Sequence, residues 1–185
     1  MKNHIAISVL LAVIAGVIYT QTFGFDFVNY DDPSYVYKNN QIREGLTTDS
    51  IHWAVTTNYF ANWIPLTWTS YLLDYTLFEL NPAPYHSENT LWHLLNAILL
   101  YTTVFLYSGK KPLALFVALL FVLHPMHVES VAWISERKGL LSTFFALLAL
   151  IAYQQGALRG KRLLIFSALA LYAASLLAKP MLMTL

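Results

Sequence analysis

The chain has 185 residues, of which 57% are apolar and 11% charged, with a net charge of +1 and no cysteine. An ordinary soluble domain carries roughly 25% charged residues, so a water-solvated globule is a poor fit and lipid is the natural solvent for much of this surface. The balanced charge gives no nucleic-acid face, and the missing thiols remove disulfides, thiolate nucleophiles and zinc–thiolate sites.

The first apolar run, residues 5–25, follows Lys2, contains no charge and is long enough as a helix to cross a hydrocarbon core of roughly 30 Å. Val13 and Ala15 also fit a signal-peptide cleavage site, but further apolar runs follow and no soluble domain does, so the segment reads as a retained anchor. The next stretch, 26–87, is about sixty residues, longer than a plain connection needs. It is rich in rings (Trp53, Tyr59, Phe60, Trp63, Trp68, Tyr71, Tyr75, Phe78) that suit a membrane–water interface. From Pro65 a helix would put Trp68, Tyr71, Leu72 and Tyr75 on one face, with Thr67, Ser70 and Asp74 elsewhere. Such a helix either lies on the bilayer or packs as an ordinary amphipathic helix.

A second apolar run covers 91–107, with Ser87 and Glu88 placed to cap and charge its first turn. It ends at Ser108, Gly109, Lys110, Lys111, Pro112. The third run, 113–123, is short and meets His124 and Pro125, so one turn of it must be buried in protein or wet. The fourth and fifth runs, 140–153 and 163–178, are separated by Arg159, Lys161 and Arg162. The expected fold is therefore all-α: a polytopic helix bundle with about five spans near 5–25, 88–107, 110–125, 139–155 and 163–178, plus a helical outer loop. In this alternation Lys2, Lys110, Lys111, Arg159, Lys161 and Arg162 share one side, which the positive-inside rule makes cytoplasmic. All ten acidic residues fall between Asp26 and Glu88 or in segment 124–138. A multi-pass protein of a bacterial inner membrane or an equivalent, with a cytoplasmic N-terminus, is expected.

Two segments carry the chemistry. Asp31 and Asp32 follow the first span directly. Asp32, before Pro33, is placed to cap a short helix starting at proline. Asp31 has no such assignment, and a carboxylate at the edge of low dielectric is a candidate general base, although paired acids also occur as plain solvated loop residues. The second segment runs from His124 through His127, Glu129 and Glu136 to Arg137 and Lys138. So many polar groups between two spans mark a polar cavity suited to a ligand. His124 and His127 share a face if helical and with a carboxylate could hold a divalent metal, but no fourth ligand presents itself. Arg137 and Lys138, joined by Lys179, suit a phosphate at the bilayer edge, the alternative being snorkelling at a helix end. His86, His93 and Asn96 read as packing or polar contacts. Phosphate-loop, dinucleotide-binding and nucleophile-elbow motifs are missing.

The run Phe27, Val28, Asn29, Tyr30, Asp31, Asp32, Pro33, then Asn62, Trp63, Ile64, Pro65, Leu66, Thr67, Trp68, then 124–138 and on through Ala178, Lys179, Pro180 and Met181 resembles the membrane module of the transmembrane and tetratricopeptide-repeat O-mannosyltransferases and their bacterial relatives. The specific part is His-Pro-x-His-Val-Glu-Ser-Val-Ala-Trp followed by Glu-Arg-Lys; the aspartate pair alone is weak. The resemblance implies a GT-C-like fold and transfer of a sugar, mannose or another hexose, from a polyprenyl-phosphate donor to an acceptor such as a protein hydroxyl, on the outer face. It implies base or acceptor-ligand roles for Asp31 and, less directly, Asp32, and places the lipid phosphate near Arg137, Lys138 and Lys179. His124, His127, Glu129, Glu136, Trp63 and Trp68 complete the candidate donor and sugar contacts. The implied partners are the bilayer, the lipid-linked sugar and a protein acceptor. The family's module continues into further spans and repeats, whereas this sequence stops at Leu185, so a piece of a longer protein or a reduced member is expected. Two readings of other classes stand beside it: a non-catalytic module binding a polyprenyl lipid or a partner bundle, and a small transporter, for which no internal repeat is evident.

Overall fold

The computed structural model describes residues 2–183 and is helical throughout, the only β pairing among the described residues being an isolated bridge between Tyr59 and Asn62. Helix α1 (Lys2–Tyr19) runs on through a tighter turn, Thr20–Gly24. An outer layer follows: a π-helical turn (Pro33–Tyr37), a 3-10 turn (Ile42–Glu44), α2 (Thr48–Thr56) and α3 (Pro65–Phe78). Then come α4 (Pro82–Ser108), α5 (Lys111–Leu123), α6 (His127–Ala132), a 3-10 turn (Ile134–Glu136), α7 (Arg137–Arg159) and α8 (Arg162–Ala178).

Side-chain contacts fix the helix directions. Tyr101 meets His4 at 3.0 Å and Tyr19 meets His93 ring to ring at 5.2 Å, so α1 and α4 are antiparallel. Trp92 packs on Phe144 and the Tyr107 hydroxyl donates to the Leu150 carbonyl, so α4 and α7 run parallel. Ser142 and Ser175 hydrogen-bond at 3.0 Å while Gly156 touches Ile165, making α7 and α8 an antiparallel pair. The crossing at Gly156 leaves no room for a side chain: a Cβ there would lie 2.9 Å from Ile165. Helices α1 and α8 thus run opposite to α4 and α7. The start of α1, the α4–α5 turn with Lys110 and Lys111, and the α7–α8 turn with Arg159 to Arg162 share one end.

Three helices are long and apolar enough to cross a bilayer: His4–Gly24, Pro82–Ser108 and Ile134–Arg159. The third and fifth expected spans form shorter apolar helices, α5 and α8, about 20 and 25 Å long at 1.5 Å per residue. Pro112 at the start of α5 and His124–Pro125 at its end bound that helix at both sides. Helix α4 starts earlier than the sequence suggested. Asn81 caps it, accepting from the Ala83 N–H, and Pro82 sets its first turn, so Ser87 and Glu88 are inside the helix rather than at its cap.

Two buried clusters result. One lies within the bundle around Leu11, Ala15, Ala97, Ala118 and Val122, where small residues let helices approach closely. The other lies under the outer layer around Tyr35, Ile42, Trp68, Tyr71, Tyr85 and Ile134. Through Tyr85 and Ile134 this second cluster locks the loop 26–87 onto the start of α4 and the turn before α7.

Candidate functional site

The two aspartates that precede the π-helical turn have different environments. Asp32 is fully buried, with Oδ2 accepting from the Val28 N–H at 2.8 Å and Oδ1 from the Ser135 N–H at 3.1 Å and from the Ser135 hydroxyl. It does occupy the cap position before Pro33, but its carboxylate makes no cap hydrogen bond there. The donors of a distant segment compete successfully for it. Asp31 is half-buried, and its carboxylate takes no hydrogen bond or ion pair from any described residue.

The π-helical turn that follows puts Tyr35 one turn beyond Asp31, with the Tyr35 N–H on the Asp31 carbonyl at 2.9 Å. Burial first, then the nearby charges of Asp31 and Glu136, push the Tyr35 phenol up to about 12, while the Asn62 amide donating to its oxygen at 3.1 Å acts the other way. Lys138 lies 4.8 Å from the centre of the Tyr35 ring and 5.7 Å from that of Trp133. Its Nζ binds Glu136 Oε1 at 2.8 Å and the Ser135 carbonyl at 3.0 Å. The other oxygen of Glu136 binds Lys179 Nζ at 3.2 Å, and Gly139 leaves the space beside that pair open. Asp31, Tyr35, Glu136, Lys138 and Lys179 therefore gather at one end of the bundle, two ammonium groups sharing one carboxylate.

Arg137 is next to this group in sequence but faces the other way. It is fully buried, with Nε on Asn89 Oδ1 at 2.9 Å, Nη2 on the Tyr85 carbonyl at 3.1 Å, and Nη1 paired with both Asp74 and Glu88. Its guanidinium stacks 4.9 Å from the centre of the Tyr71 ring, whose hydroxyl donates to Ile134. Asp74 and Thr67, expected away from the buried face of α3, are therefore inside: Asp74 meets Arg137, and Thr67 donates to the Ala178 carbonyl at 2.9 Å. Trp68, Tyr71 and Leu72 are buried as expected.

The remaining candidates are dispersed. Trp68 is fully buried against Tyr35 at 4.9 Å, whereas Trp63 is 50% exposed and donates to the Val55 carbonyl. His124 follows the last residue of α5 in extended conformation and His127 opens α6, yet their rings are 6.2 Å apart, and His127 packs on Phe121 at 4.3 Å. Burial, then the neighbouring His124, lowers the His127 pKa. Both line a groove of about 390 Å³ with Leu100, Val117 and Leu120. Glu129 is exposed, and among the described residues no three His, Asp or Glu side chains converge as metal ligands. The sequence reading passed over Tyr35, Asn62 and Ser135. The four-residue spacing from Asp31 was a signal for Tyr35; nothing local marks Asn62 or Ser135.

Comparison with known proteins bears on what this arrangement belongs to. The chain is 32% identical over 158 residues to the mouse protein O-mannosyl-transferase TMTC1, covering 79% of this chain and 16% of that protein. It is 28% identical over 159 residues to mouse TMTC3, covering 82% and 17%, and 31% identical over 160 residues to the Caenorhabditis elegans protein O-mannosyl-transferase F38B6.6, covering 78% and 22%. The chain belongs to the TMTC family. It spans about a fifth or less of the length of these TMTC relatives. No protein-family profile matches it, and no solved structure does. The aspartate pair and segment 124–138 of this TMTC chain meet in the fold through Asp32 and Ser135.

Proposed function

We propose that the chain forms the outer-face site of a glycosyltransferase that moves a sugar, mannose or another hexose, from a polyprenyl-phosphate carrier to a protein hydroxyl. The division between the aspartates carries the reading: Asp32 is wholly used in holding the fold, and Asp31 beside it is half-buried with no partner among the described residues. Asp31 would take the acceptor proton as the acceptor oxygen attacks the sugar carbon, and the bond from that carbon to the phosphate oxygen would break with its electron pair leaving on phosphate. Lys138 and Lys179, sharing Glu136, carry one net positive charge that would stabilise the leaving phosphate. Arg137 anchors the segment from beneath, since all its contacts point inward. The groove ending at His124 and His127 suits an isoprenoid chain. The basic end of the bundle would face the cytoplasm, with all five apolar helices crossing.

The test is transfer of labelled mannose from polyprenyl-phosphate mannose to a threonine-containing peptide by the intact membrane protein. Lys179→Gln is expected to raise the donor KM, and Asp31→Asn to abolish turnover. A folded Asp31→Asn protein that binds the lipid donor but matches wild-type turnover would leave lipid binding without catalysis by this carboxylate.

A further inference from the structure

The Tyr35 phenol is not used in the reading above, and its partners are unbalanced. Its oxygen accepts from Asn62 Nδ2 at 3.1 Å, while its own proton has no acceptor among the described residues. Asp31, one turn earlier, is the complement: a carboxylate with no donor. The phenol keeps its proton at any physiological pH, because burial and the adjacent carboxylates push it up to about 12. The ring is fixed by Trp68 at 4.9 Å and Phe60 at 5.9 Å, and Lys138 sits over it.

We propose that Tyr35 orients the acceptor, its O–H donating to the acceptor hydroxyl oxygen while Asp31 accepts that hydroxyl's proton. A hydroxyl has one proton and two lone pairs. With the proton directed to Asp31 and one lone pair held by Tyr35, the other lone pair is left for the sugar carbon. As the new C–O bond forms, the proton passes to Asp31 and the sugar–phosphate bond breaks toward phosphate; Tyr35 stays neutral throughout. A neutral amine has a single lone pair, which the phenol would occupy, so the pair selects hydroxyl acceptors over amines.

The cover over the phenol is the turn 59–62. Phe60 (φ 53°) and Ala61 (φ 56°) both hold the left-handed conformation disfavoured by side chains, so displacing this turn for an incoming acceptor costs less than displacing a relaxed one. This inference rests on Asp31 as the base.

The test uses the intact protein in nanodiscs with polyprenyl-phosphate mannose and a threonine-containing peptide. Tyr35→Phe keeps the ring that packs on Trp68 and spaces Lys138, so folding should be unchanged. Its kcat/KM for the peptide should fall about ten-fold or more, with the donor KM unchanged. Asn62→Ala, which removes the amide that donates to the phenol oxygen, should keep most of the activity. Unchanged kcat/KM in Tyr35→Phe overturns the proposal. An equal loss in Asn62→Ala also overturns it, because the phenol then only holds the turn. Asp31→Asn, run alongside, separates the two levels: transfer retained there contradicts the base assignment, while transfer lost there and retained in Tyr35→Phe contradicts only the role of the phenol.

Discussion

Asp32 binds Ser135 across 103 positions of sequence, its Oδ1 accepting both the Ser135 N–H and the Ser135 hydroxyl. With the Val28 N–H on Oδ2, this one carboxylate joins the segment that leaves α1 to the 3-10 turn that leads into α7. Replacing it by alanine strands the two buried donors of Ser135 and loses the part-buried bond from Val28, and each stranded buried group costs about 1–3 kcal/mol. Asp32→Ala should therefore lower stability by about 3 kcal/mol or more, read as thermal unfolding in detergent. Asp31→Ala should stay within about 0.5 kcal/mol of wild type. Equal unfolding temperatures for the two variants would contradict the division of roles.

The buried Arg137–Asp74 pair gives a coupling prediction. Arg137→Met leaves the Asp74 carboxylate inside the protein without its cation, a change that costs about 3–5 kcal/mol. Removing both charges, as in Arg137→Met with Asp74→Leu, should cost less than Arg137→Met alone. A double-mutant cycle by chemical unfolding decides it; simple additivity would mean that the pair is not coupled.

The two tryptophans of the outer layer should differ sharply. Trp68→Ala empties a fully buried site and should cost about 3–5 kcal/mol. Trp63, half exposed, should cost under about 1 kcal/mol when truncated. Near-equal losses, measured in the same unfolding assay, would contradict the observed burial.

Alkaline pH should destabilise the fold through Tyr35. Its phenol ionises near 10.0 when unfolded and is pushed up to about 12 when folded, so above pH 10 the unfolded chain loses a proton that the folded chain keeps. The associated stability is fully present below pH 10 and is lost as pH rises toward 12. Tyr71, also raised by burial, adds in the same direction. Unfolding followed from pH 9 to 12 should show a fall that is shallower in Tyr35→Phe; an identical slope would contradict the Tyr35 contribution.

Much of the fold was legible because hydrophobic length and charge placement act locally. The runs that became α1, α4 and α7 are long enough to declare themselves, and the basic α4–α5 and α7–α8 turns do share one end. Helix starts were less legible: the polar stretch 82–90 is helical because Asn81 and Pro82 cap it and because Asn89 and Glu88 find Arg137. The roles of charged residues were the least legible. Arg137 and Lys138 are adjacent in sequence, yet one is buried on Asp74 and the other sits over Tyr35, and that difference depends on partners more than fifty positions away. The same holds for Asp31 and Asp32. Adjacent identical residues separate only when tertiary donors choose between them.

The most direct measurement is mannose transfer from polyprenyl-phosphate mannose by the intact protein and its Asp31→Asn variant, at matched thermal stability. The expected result is a loss of turnover of about a hundred-fold or more in the variant, on the scale of removing a general base, with lipid donor binding preserved. Wild-type turnover in a folded Asp31→Asn protein would contradict Asp31 as the base that takes the acceptor proton.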